Sequence, residues 1–309
     1  YIVKWKQFRI NTDLNYIPEP LVMSYDIETY SVNPDIMSDP RIDKNCVFQI
    51  SCILSRKGVS EHKYLHTLGD PDDTVGKDVS ILRYKTECDL LCGFVDFINK
   101  HNPNVIIGYN ILTFDIPYLI KRSEVKFVSR EFSIQGFLKD VPSIEKKIKW
   151  SSKAYGNQEF KFLDTEGRLF IDLFPIIKRD YKLSNYKLKT VATEFIGETK
   201  DPLNHKGIFK CYDAGIKNVN GVYSKKSRKA MGIVGKYCIK DAELVIRIYK
   251  FLDTWSGLCE MATTCNVPIF YLYTKGQQIK VFSQLYKFCM HNNIVVECDG
   301  YKSKEGERY

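Results

Sequence analysis

The sequence predicts an α/β domain in which helices pack around a sheet. Early in the chain lie nearly continuous apolar runs that are rich in β-branched residues and have the length of buried strands. Segments with apolar residues at helical spacing follow them. The order of three strands, a helix, a strand and then later helices is typical of helices layered on a sheet.

The strands are predicted mainly in the first third of the chain. Residues 1–10 (YIVKWKQFRI) give one candidate strand, and residues 21–30 alternate into a buried strand. Residues 46–54 (CVFQISCIL) form a nearly continuous apolar run, and residues 61–68 give a third core strand. Residues 69–78 are rich in Asp, Gly and Pro and indicate a loop.

The first helix is expected to begin at Thr86. Asp89 lies three residues further on, as in a capping box. Apolar residues then occur at helical spacing, which indicates one buried face: Leu91, Phe94, Val95 and Ile98. After the HNPN turn, VIIG is expected to form a short strand.

The second half is predicted to be mostly helical. Residues 167–174 (GRLFIDLF) indicate another strand. Ser184 is expected to begin an amphipathic helix that Gly197 ends. Residues 198–230 are polar and are expected to form loops, before a helix from about 231 to 253. A further amphipathic helix should begin near Gln277.

Composition places few constraints on function. The 309 residues allow one large domain or two, and the net charge of +9 is compatible with a polyanionic partner without requiring one. The ten cysteines form no C-x-x-C pairs, so reduced thiols and an intracellular location are expected. No signal peptide and no membrane-spanning run is visible. The chain begins at Tyr1 and stops after GERY, as expected of a piece of a longer protein.

The first acidic motif is Asp26-Ile27-Glu28. The two carboxylates lie two residues apart on a predicted strand, so both project from one face. Like charges at that spacing repel unless a cation lies between them. Magnesium takes carboxylate oxygens as ligands. The motif by itself is more often only an exposed acidic pair on an edge strand.

The second motif runs from Asn110 to Asp115. Asp115 follows a strand and a turn, and its neighbours Phe114, Ile116 and Pro117 are apolar or helix-starting residues. It could cap the following helix, and this interpretation is as well supported by the motif alone as a functional one. Asn110 could be a turn residue or could hydrogen-bond a substrate.

The third motif is Tyr237-x3-Asp241. These residues are four apart on a predicted helix and share a face. A phenol is a poor base at neutral pH, but it can orient a water molecule whose pKa a metal ion lowers. A simple Tyr–Asp hydrogen bond on a helix surface is the favoured interpretation when the pair is read alone.

Considered together, the three motifs indicate a metal-dependent nuclease. They and the surrounding sequence resemble the 3′–5′ proofreading exonuclease domain of family B DNA polymerases, of the DEDD type with tyrosine in the third motif. The resemblance covers residues 20 to 309 and is closest in style to delta and large-DNA-virus polymerases. The loop KCYDAGIKNVNGVY and the richness in Lys, Asn, Ile and Tyr favour a viral source. The resemblance includes CVFQIS, ECDLLCGFVDFINKHNPNVIIGYNILTFDIPYL, YKLSNYKLKTVATEFIGETK and TKGQQIKVFSQLY. Lys275 departs from the arginine common in the delta-like group.

The resemblance implies a ribonuclease H-like mixed sheet flanked by helices, and two Mg²⁺ or Mn²⁺ ions. Asp26 would bridge both ions, Glu28 and Asp241 would complete the tighter site, and Asp115 would reach the second ion through water. Tyr237 would direct the attacking water. The residues implied to hold the 3′ end are Thr29, Asn110 and Phe114.

The resemblance also implies a division of the chain. Residues 1–20 would end the polymerase N-terminal region, residues 21–255 would form the exonuclease domain, and residues 256–309 would lead back towards the palm. The palm motifs of the family are absent from this sequence, so the chain should not synthesise DNA. The implied partners are single-stranded 3′ ends and primer–template DNA, the palm, fingers and thumb, and a processivity factor. The implied location is the nucleus or a viral replication site in the cytoplasm.

Other possibilities stay open at this point. Two basic clusters could contact DNA, although a charge run is more often a solvated face: Lys146, Lys147 and Lys149 beside Trp150, and Lys225, Lys226, Arg228 and Lys229. A DNA-binding scaffold with a decayed nuclease is a second hypothesis, against which the four carboxylates argue. A free-standing nuclease acting on RNA is a third, against which the GQQIK segment and the abrupt termini argue.

Overall fold

The computed structural model of the chain describes residues 16–153 and 156–296. The strands in these residues are β1 (Val22–Tyr30), β2 (Cys46–Ser55), β3 (His62–Leu68), β4 (Val79–Tyr84), β5 (Val105–Gly108), β6 (Ile144–Ser152), β7 (Gly156–Asp164), β8 (Leu169–Asp172), β9 (Asn218–Val219) and β10 (Val222–Tyr223). The helices are α1 (Glu87–His101), α2 (Asp115–Val125), α3 (Ser129–Ser133), α4 (Leu173–Asp180), α5 (Leu188–Ile196), α6 (His205–Gly215), α7 (Lys225–Phe251), α8 (Thr254–Cys265), α9 (Ile269–Thr274) and α10 (Gln278–His291).

A mixed six-stranded sheet forms the centre of the molecule, in the order β4-β3-β2-β1-β5-β8. β1 pairs antiparallel with β2 and parallel with β5. Every residue of β2 is buried, as its continuous apolar run predicts. β6 with β7 and β9 with β10 form separate two-stranded hairpins.

Helices cover both faces of this sheet. The hydroxyl of Ser24 donates to the carbonyl of Ala242 in α7 at 2.9 Å, whereas the neighbouring Tyr25 packs against Phe94 of α1. Because consecutive strand residues point to opposite faces, α7 and α1 lie on opposite sides of β1. The α/β prediction of a mixed sheet flanked by helices is confirmed.

The early elements agree with the sequence predictions. The strands expected at residues 21–30, 46–54, 61–68 and VIIG correspond to β1, β2, β3 and β5. Thr86 caps α1 in a reciprocal capping box with Asp89. The candidate strand at residues 1–10 lies outside the described residues.

The prediction of loops over residues 198–230 was wrong. Asn204 caps α6 by accepting a hydrogen bond from the amide of Gly207, and α6 buries Ile208 and Phe209. α7 begins at Lys225, capped by Ser224, rather than near residue 231. The first turns of both helices consist mainly of polar residues, so the sequence shows no apolar periodicity there.

Other boundaries also needed correction. α5 begins at Leu188 and not at Ser184, because the Asn185 side chain first accepts the amide of Lys187 in a turn. Gly197 ends this helix in the left-handed conformation, as predicted.

The strand predicted at residues 167–174 is shorter than expected. It stops at Asp172, which caps α4 by accepting the amide of Phe174. A 3-10 turn at Asp73–Val75 lies within the loop predicted at residues 69–78. The sequence prediction also missed β4 and the hairpin of β6 and β7.

The sequence predicted reduced thiols and no membrane-spanning segment. All nine cysteines in the described residues are free thiols. Across residues 16–153 and 156–296, no helix combines the length and apolarity needed to cross a bilayer.

Candidate active site

The site forms where β1 faces α7. Asp26 and Glu28 share a strand face with Ser24, which bonds to α7, so both carboxylates point towards that helix. α7 is held there by further contacts. The thiol of Cys238 donates to the carbonyl of Asp26 at 3.5 Å, and the hydroxyl of Ser51 donates to the carbonyl of Cys238 at 2.9 Å. This docking places Tyr237 and Asp241 beside the first motif.

All four predicted metal-binding carboxylates converge at this place. Glu28, Asp115 and Asp241 are at most 6% exposed, whereas Asp26 is partly exposed. Burial, followed by repulsion from Asp241, raises the pKa of Asp26 and of Glu28 well above its usual range. Burial also raises the pKa of Asp115 to about 7 and that of Asp241 to about 6. Such a cluster is unfavourable unless positive charge neutralises it.

Asp115 reaches the cluster from the start of α2. It is the first residue of that helix, and the preceding N-cap residue Phe114 makes no side-chain cap. The backbone of Asp115 itself and that of Ile27 in β1 partly offset the rise in its pKa. Asp115 therefore lies beside the strand that carries the first motif, and the interpretation of it as a helix cap is not supported.

Asp172 supports the turn before Asp115, and sequence reasoning did not single it out. This buried side chain accepts the amides of Asn110 at 2.7 Å, Leu112 at 3.0 Å and Phe174 at 3.0 Å. Asn110 takes a positive φ of 66° in the same turn. An aspartate that ends an apolar run just before a helix was the only signal in the sequence.

Lys200 is a second residue that sequence reasoning did not single out. Its ammonium forms an ion pair with Asp241 and lies 4.5 Å from the centre of the Tyr237 ring. Burial lowers its pKa, but the attraction of Asp241 and Asp26 outweighs this effect and raises the pKa above the usual lysine range. Lys200 lies in a polar stretch far from the motifs in sequence, and no spacing pattern points to it.

Tyr237 lies next to these charges in the third motif. It is 7% exposed and lies one helical turn before Asp241 on α7. Burial and then the charge of Asp241 raise the pKa of its hydroxyl. The Tyr–Asp pair exists, but it lies in a cleft rather than on an open helix surface.

A cleft of about 480 Å³ opens over the cluster, a size that suits a nucleotide-sized group. Its walls include the predicted residues Thr29 and Phe114 and residues of α6. Asn110 and Asp115 are not among the residues that line this cleft in the described structure. The lining residues are Asp26, Ile27, Glu28, Thr29, Asp35, Met37, Ser38, Phe114, Lys200, His205, Ile208, Phe209, Tyr237 and Asp241.

The donor set suits a divalent cation. Ligand atoms of Asp26, Glu28 and Cys238 lie within 4.8 Å of one another. Oδ1 of Asp241 is buried and has no hydrogen-bond partner in the protein. Hard cations such as Mg²⁺ prefer carboxylate oxygens of this kind.

Comparison with protein families identifies the domain. The model of the DNA polymerase family B exonuclease domain matches residues 3–191. This chain belongs to that family. Exonuclease domains of this family depend on metal ions, and the acidic site at Asp26 and Glu28 is consistent with that dependence. The ribonuclease H-like fold implied by the sequence resemblance is confirmed.

Relatives of this family B exonuclease domain come from viruses and eukaryotes. DNA polymerase 120R of Invertebrate iridescent virus 3 is 50% identical over 96% of this chain and 26% of its own length. DNA polymerase 037L of Invertebrate iridescent virus 6 is 32% identical over 100% of this chain and 32% of its own length. The DNA polymerase delta catalytic subunit of Candida albicans is 35% identical over 89% of this chain and 25% of its own length. The chain therefore spans about a quarter to a third of these relatives.

The two basic clusters lie outside the cleft of the exonuclease domain. Lys146 and Lys149 lie on β6 and pair with Asp164 and Glu159 of β7, so much of this cluster's charge is balanced. The cluster at residues 225–229 begins α7, and its Arg228 pairs with Asp70.

Proposed function

We propose that this exonuclease domain removes nucleotides from the 3′ end of single-stranded DNA and so proofreads for a DNA polymerase of which it is a part. The main support is that Asp26, Glu28 and Asp241 line one cleft, with Asp115 of α2 close enough to raise the pKa of Asp26 and Glu28. The names of the relatives, all DNA polymerases, support DNA as the substrate.

Two Mg²⁺ or Mn²⁺ ions would bind at these carboxylates. Asp26, Glu28 and Asp241 would hold one ion, and Asp26 with Asp115 would hold the other. When bound, such ions lower the pKa of water and stabilise the attacking and leaving oxygens of a phosphodiester. The raised pKa values of the free carboxylates support this assignment, because bound cations would favour their charged forms.

Tyr237 would orient the attacking water. Its raised pKa keeps the hydroxyl protonated at neutral pH, so it acts through hydrogen bonding and not as a base. Lys200 adds a positive charge beside Tyr237 and Asp241, where charge on the phosphate would need stabilisation.

The 3′-terminal nucleotide would lie between Thr29 and Phe114. Both residues line the cleft, which supports the assignment of the backbone at Thr29 and the ring of Phe114 to the terminal sugar and base. Asn110, in the turn before α2, would hydrogen-bond the same DNA strand. The basic clusters at residues 146–149 and 225–229 are candidate contacts for the rest of the DNA.

The proposed division of the chain follows from the same assignment. Residues 1–20 would belong to the N-terminal region, residues 21–255 to the exonuclease domain and residues 256–309 to the segment that leads back to the palm. The partners would be primer–template DNA, the palm, fingers and thumb, and a processivity factor. The protein would act in the nucleus or at a cytoplasmic site of viral replication.

The double variant Asp26→Ala/Glu28→Ala tests the site. Release of nucleotides from a 3′-labelled single-stranded DNA in Mg²⁺ should fall by about 10³-fold or more, because both ions lose a ligand. Glu19→Gln/Glu61→Gln is the matched control, since these carboxylates pair with lysines near the opposite end of β1. Undiminished activity in the first variant would overturn the site, and preference for an RNA strand of the same sequence would overturn the substrate.

A further inference from the structure

A fully buried arginine ties the loop that forms one wall of the cleft to the core of the molecule. Arg122 lies on α2, two turns after Asp115, and is 0% exposed. Its guanidinium donates two parallel hydrogen bonds to Glu87, the first residue of α1. Nε lies 2.8 Å from Oε1, and Nη2 lies 2.6 Å from Oε2. This bidentate geometry is available to arginine and not to lysine.

The same guanidinium also holds the segment after β1. Residues 31–45, here called the cleft loop, offer three backbone carbonyls to it. Nη1 donates to Pro40 at 2.8 Å and Ile42 at 2.9 Å, and Nη2 donates to Asp43 at 3.1 Å. All five N–H donors of Arg122 are therefore satisfied, two by a carboxylate and three by this one loop.

The cleft loop forms one wall of the active-site cleft through Asp35, Met37 and Ser38. α2 touches this wall a second time, because the hydroxyls of Tyr118 and Ser38 lie 2.6 Å apart. Ser38 in turn donates to the carbonyl of Tyr30 at the end of β1. The loop is therefore set against α2 at two places.

Glu87 extends the connection to the sheet. Its Oε1 also accepts the amide of Val47 in β2 at 2.9 Å. The Arg122–Glu87 pair thus joins α1, α2, β2 and the cleft loop at one buried point. A buried ion pair gains little stability over apolar residues of the same volume, so stability alone does not account for it.

We propose that Arg122 and Glu87 are positioning residues that hold the cleft loop at a set distance from Asp115 and so determine how a DNA 3′ end enters the cleft. The inference rests on the exonuclease function proposed above. Neither side chain lines the cleft, so both act through the loop. Loosening the loop should weaken substrate binding more than it slows the chemical step.

Arg122→Lys is the decisive variant, because it keeps the charge and loses the fork that spans carboxylate and carbonyls. Its KM for a single-stranded DNA 3′ end should rise about tenfold while kcat stays within about threefold. Backbone amides of residues 31–45 should exchange hydrogen faster than in the wild type. Glu87→Gln should shift both measurements in the same direction.

Arg168→Lys is the matched control. Arg168 is also buried and also donates to backbone carbonyls, those of Gln135 and Pro103, but it lies before β8, at the opposite end of the sheet from the cleft. Arg168→Lys should lower the melting temperature without changing KM or the rate of amide hydrogen exchange in the cleft loop. An unchanged KM in Arg122→Lys, or an equal rise in both variants, would reduce Arg122 to a structural role.

The exchange measurement needs no catalysis, so it separates two failures. If the wild-type chain did not degrade DNA, the proposed function would fail. Unchanged exchange in the cleft loop of Arg122→Lys would by itself overturn the positioning role.

Discussion

At the scale of single residues, the site depends on side chains whose contacts are distant in sequence. Asp172 holds the turn that precedes Asp115, and Lys200 places a cation beside Asp241 and Tyr237. Asp172 has no proposed role in catalysis, yet it fixes the turn that leads to Asp115, a proposed metal-binding carboxylate.

His66 gives a residue-scale prediction about pH. Its ring is fully buried, its Nδ1 lies 2.9 Å from the hydroxyl of Tyr84, and its Nε2 has no partner. Burial, with a smaller contribution from His101, lowers its pKa to about 3. The unfolded chain takes up a proton near pH 6.5 and the folded chain does not. The contribution of His66 to stability is therefore complete above pH 6.5 and is lost as the pH falls towards 3.

Urea unfolding at pH 7.5 and pH 5 measures this effect. His66→Phe should lose less free energy of unfolding between these two pH values than the wild type, by on the order of 2 kcal/mol. His62→Gln, at an exposed position at the start of β3, should retain the wild-type difference. Parallel pH profiles for His66→Phe and the wild type would contradict the assignment.

At the scale of elements, the close approach of α7 to the sheet sets the geometry of the third motif. A Cβ atom at Gly235 would lie 2.6 Å from Cδ2 of Leu65 and 3.0 Å from Cγ2 of Val75. Both neighbours are buried and cannot swing away. Tyr237 and Asp241 follow two and six residues later on the same helix.

Gly235→Ala should therefore push α7 away from β3. We expect it to cost roughly 1–3 kcal/mol of stability by overpacking. Activity should fall further than stability, because Asp241 would move away from Asp26. Gly257→Ala is the control, since a Cβ there meets nothing within 4 Å, and it should be neutral or stabilising by up to ~1 kcal/mol. Thermal melting and nuclease assays of both variants would decide, and full activity in Gly235→Ala would contradict this account.

The helices and strands differ in how well the sequence predicts them. β1, β2, β3, β5 and α1 were predictable because their apolar periodicity survives in the sequence. α6 was not, since its polar face and two glycines hide a short buried stripe. β6 was not predictable, because it is largely exposed and its sequence is rich in lysine rather than in apolar residues.

Some residues of the site were predictable from the sequence and others were not. The four carboxylates, Tyr237, Thr29 and Phe114 were named from motif order and family resemblance. All of these residues except Asp115 line one cleft, and Asp115 lies close to Asp26. Lys200 and Asp172 were not singled out because their roles arise from tertiary packing across long sequence separations. Asn110 was named as a substrate contact, but what the structure records is its strained turn and its backbone bond to Asp172.

At the scale of the whole molecule, the carboxylate cluster should make stability depend on divalent cations. Asp26, Glu28 and Asp241 share one cleft with Asp115 close by, and repulsion between these groups opposes folding when no cation is bound. A ligand that binds only the folded state stabilises it by about 2.7 kcal/mol at a concentration of 100 Kd.

Mg²⁺ or Mn²⁺ should therefore raise the melting temperature of the chain, and a chelator should reverse the effect. Asp26→Asn/Glu28→Gln should abolish the shift. In the absence of metal, this variant should melt above the wild type, because the repulsion is relieved. Calorimetry with and without metal checks both statements, and a shift that persists in the variant would place the ion elsewhere.

The position of β1 within the sheet has a consequence for insertions and deletions. β1 is paired on both sides, and its alternation places Asp26 and Glu28 on the α7 face and Tyr25 and Ile27 on the α1 face. A one-residue slip would exchange these two pairs. Both acids would then enter an apolar layer and the pocket would be left without its ligands. The number of residues in this strand is therefore as strictly constrained as their chemistry, whereas the exposed β9–β10 hairpin should tolerate changes in length.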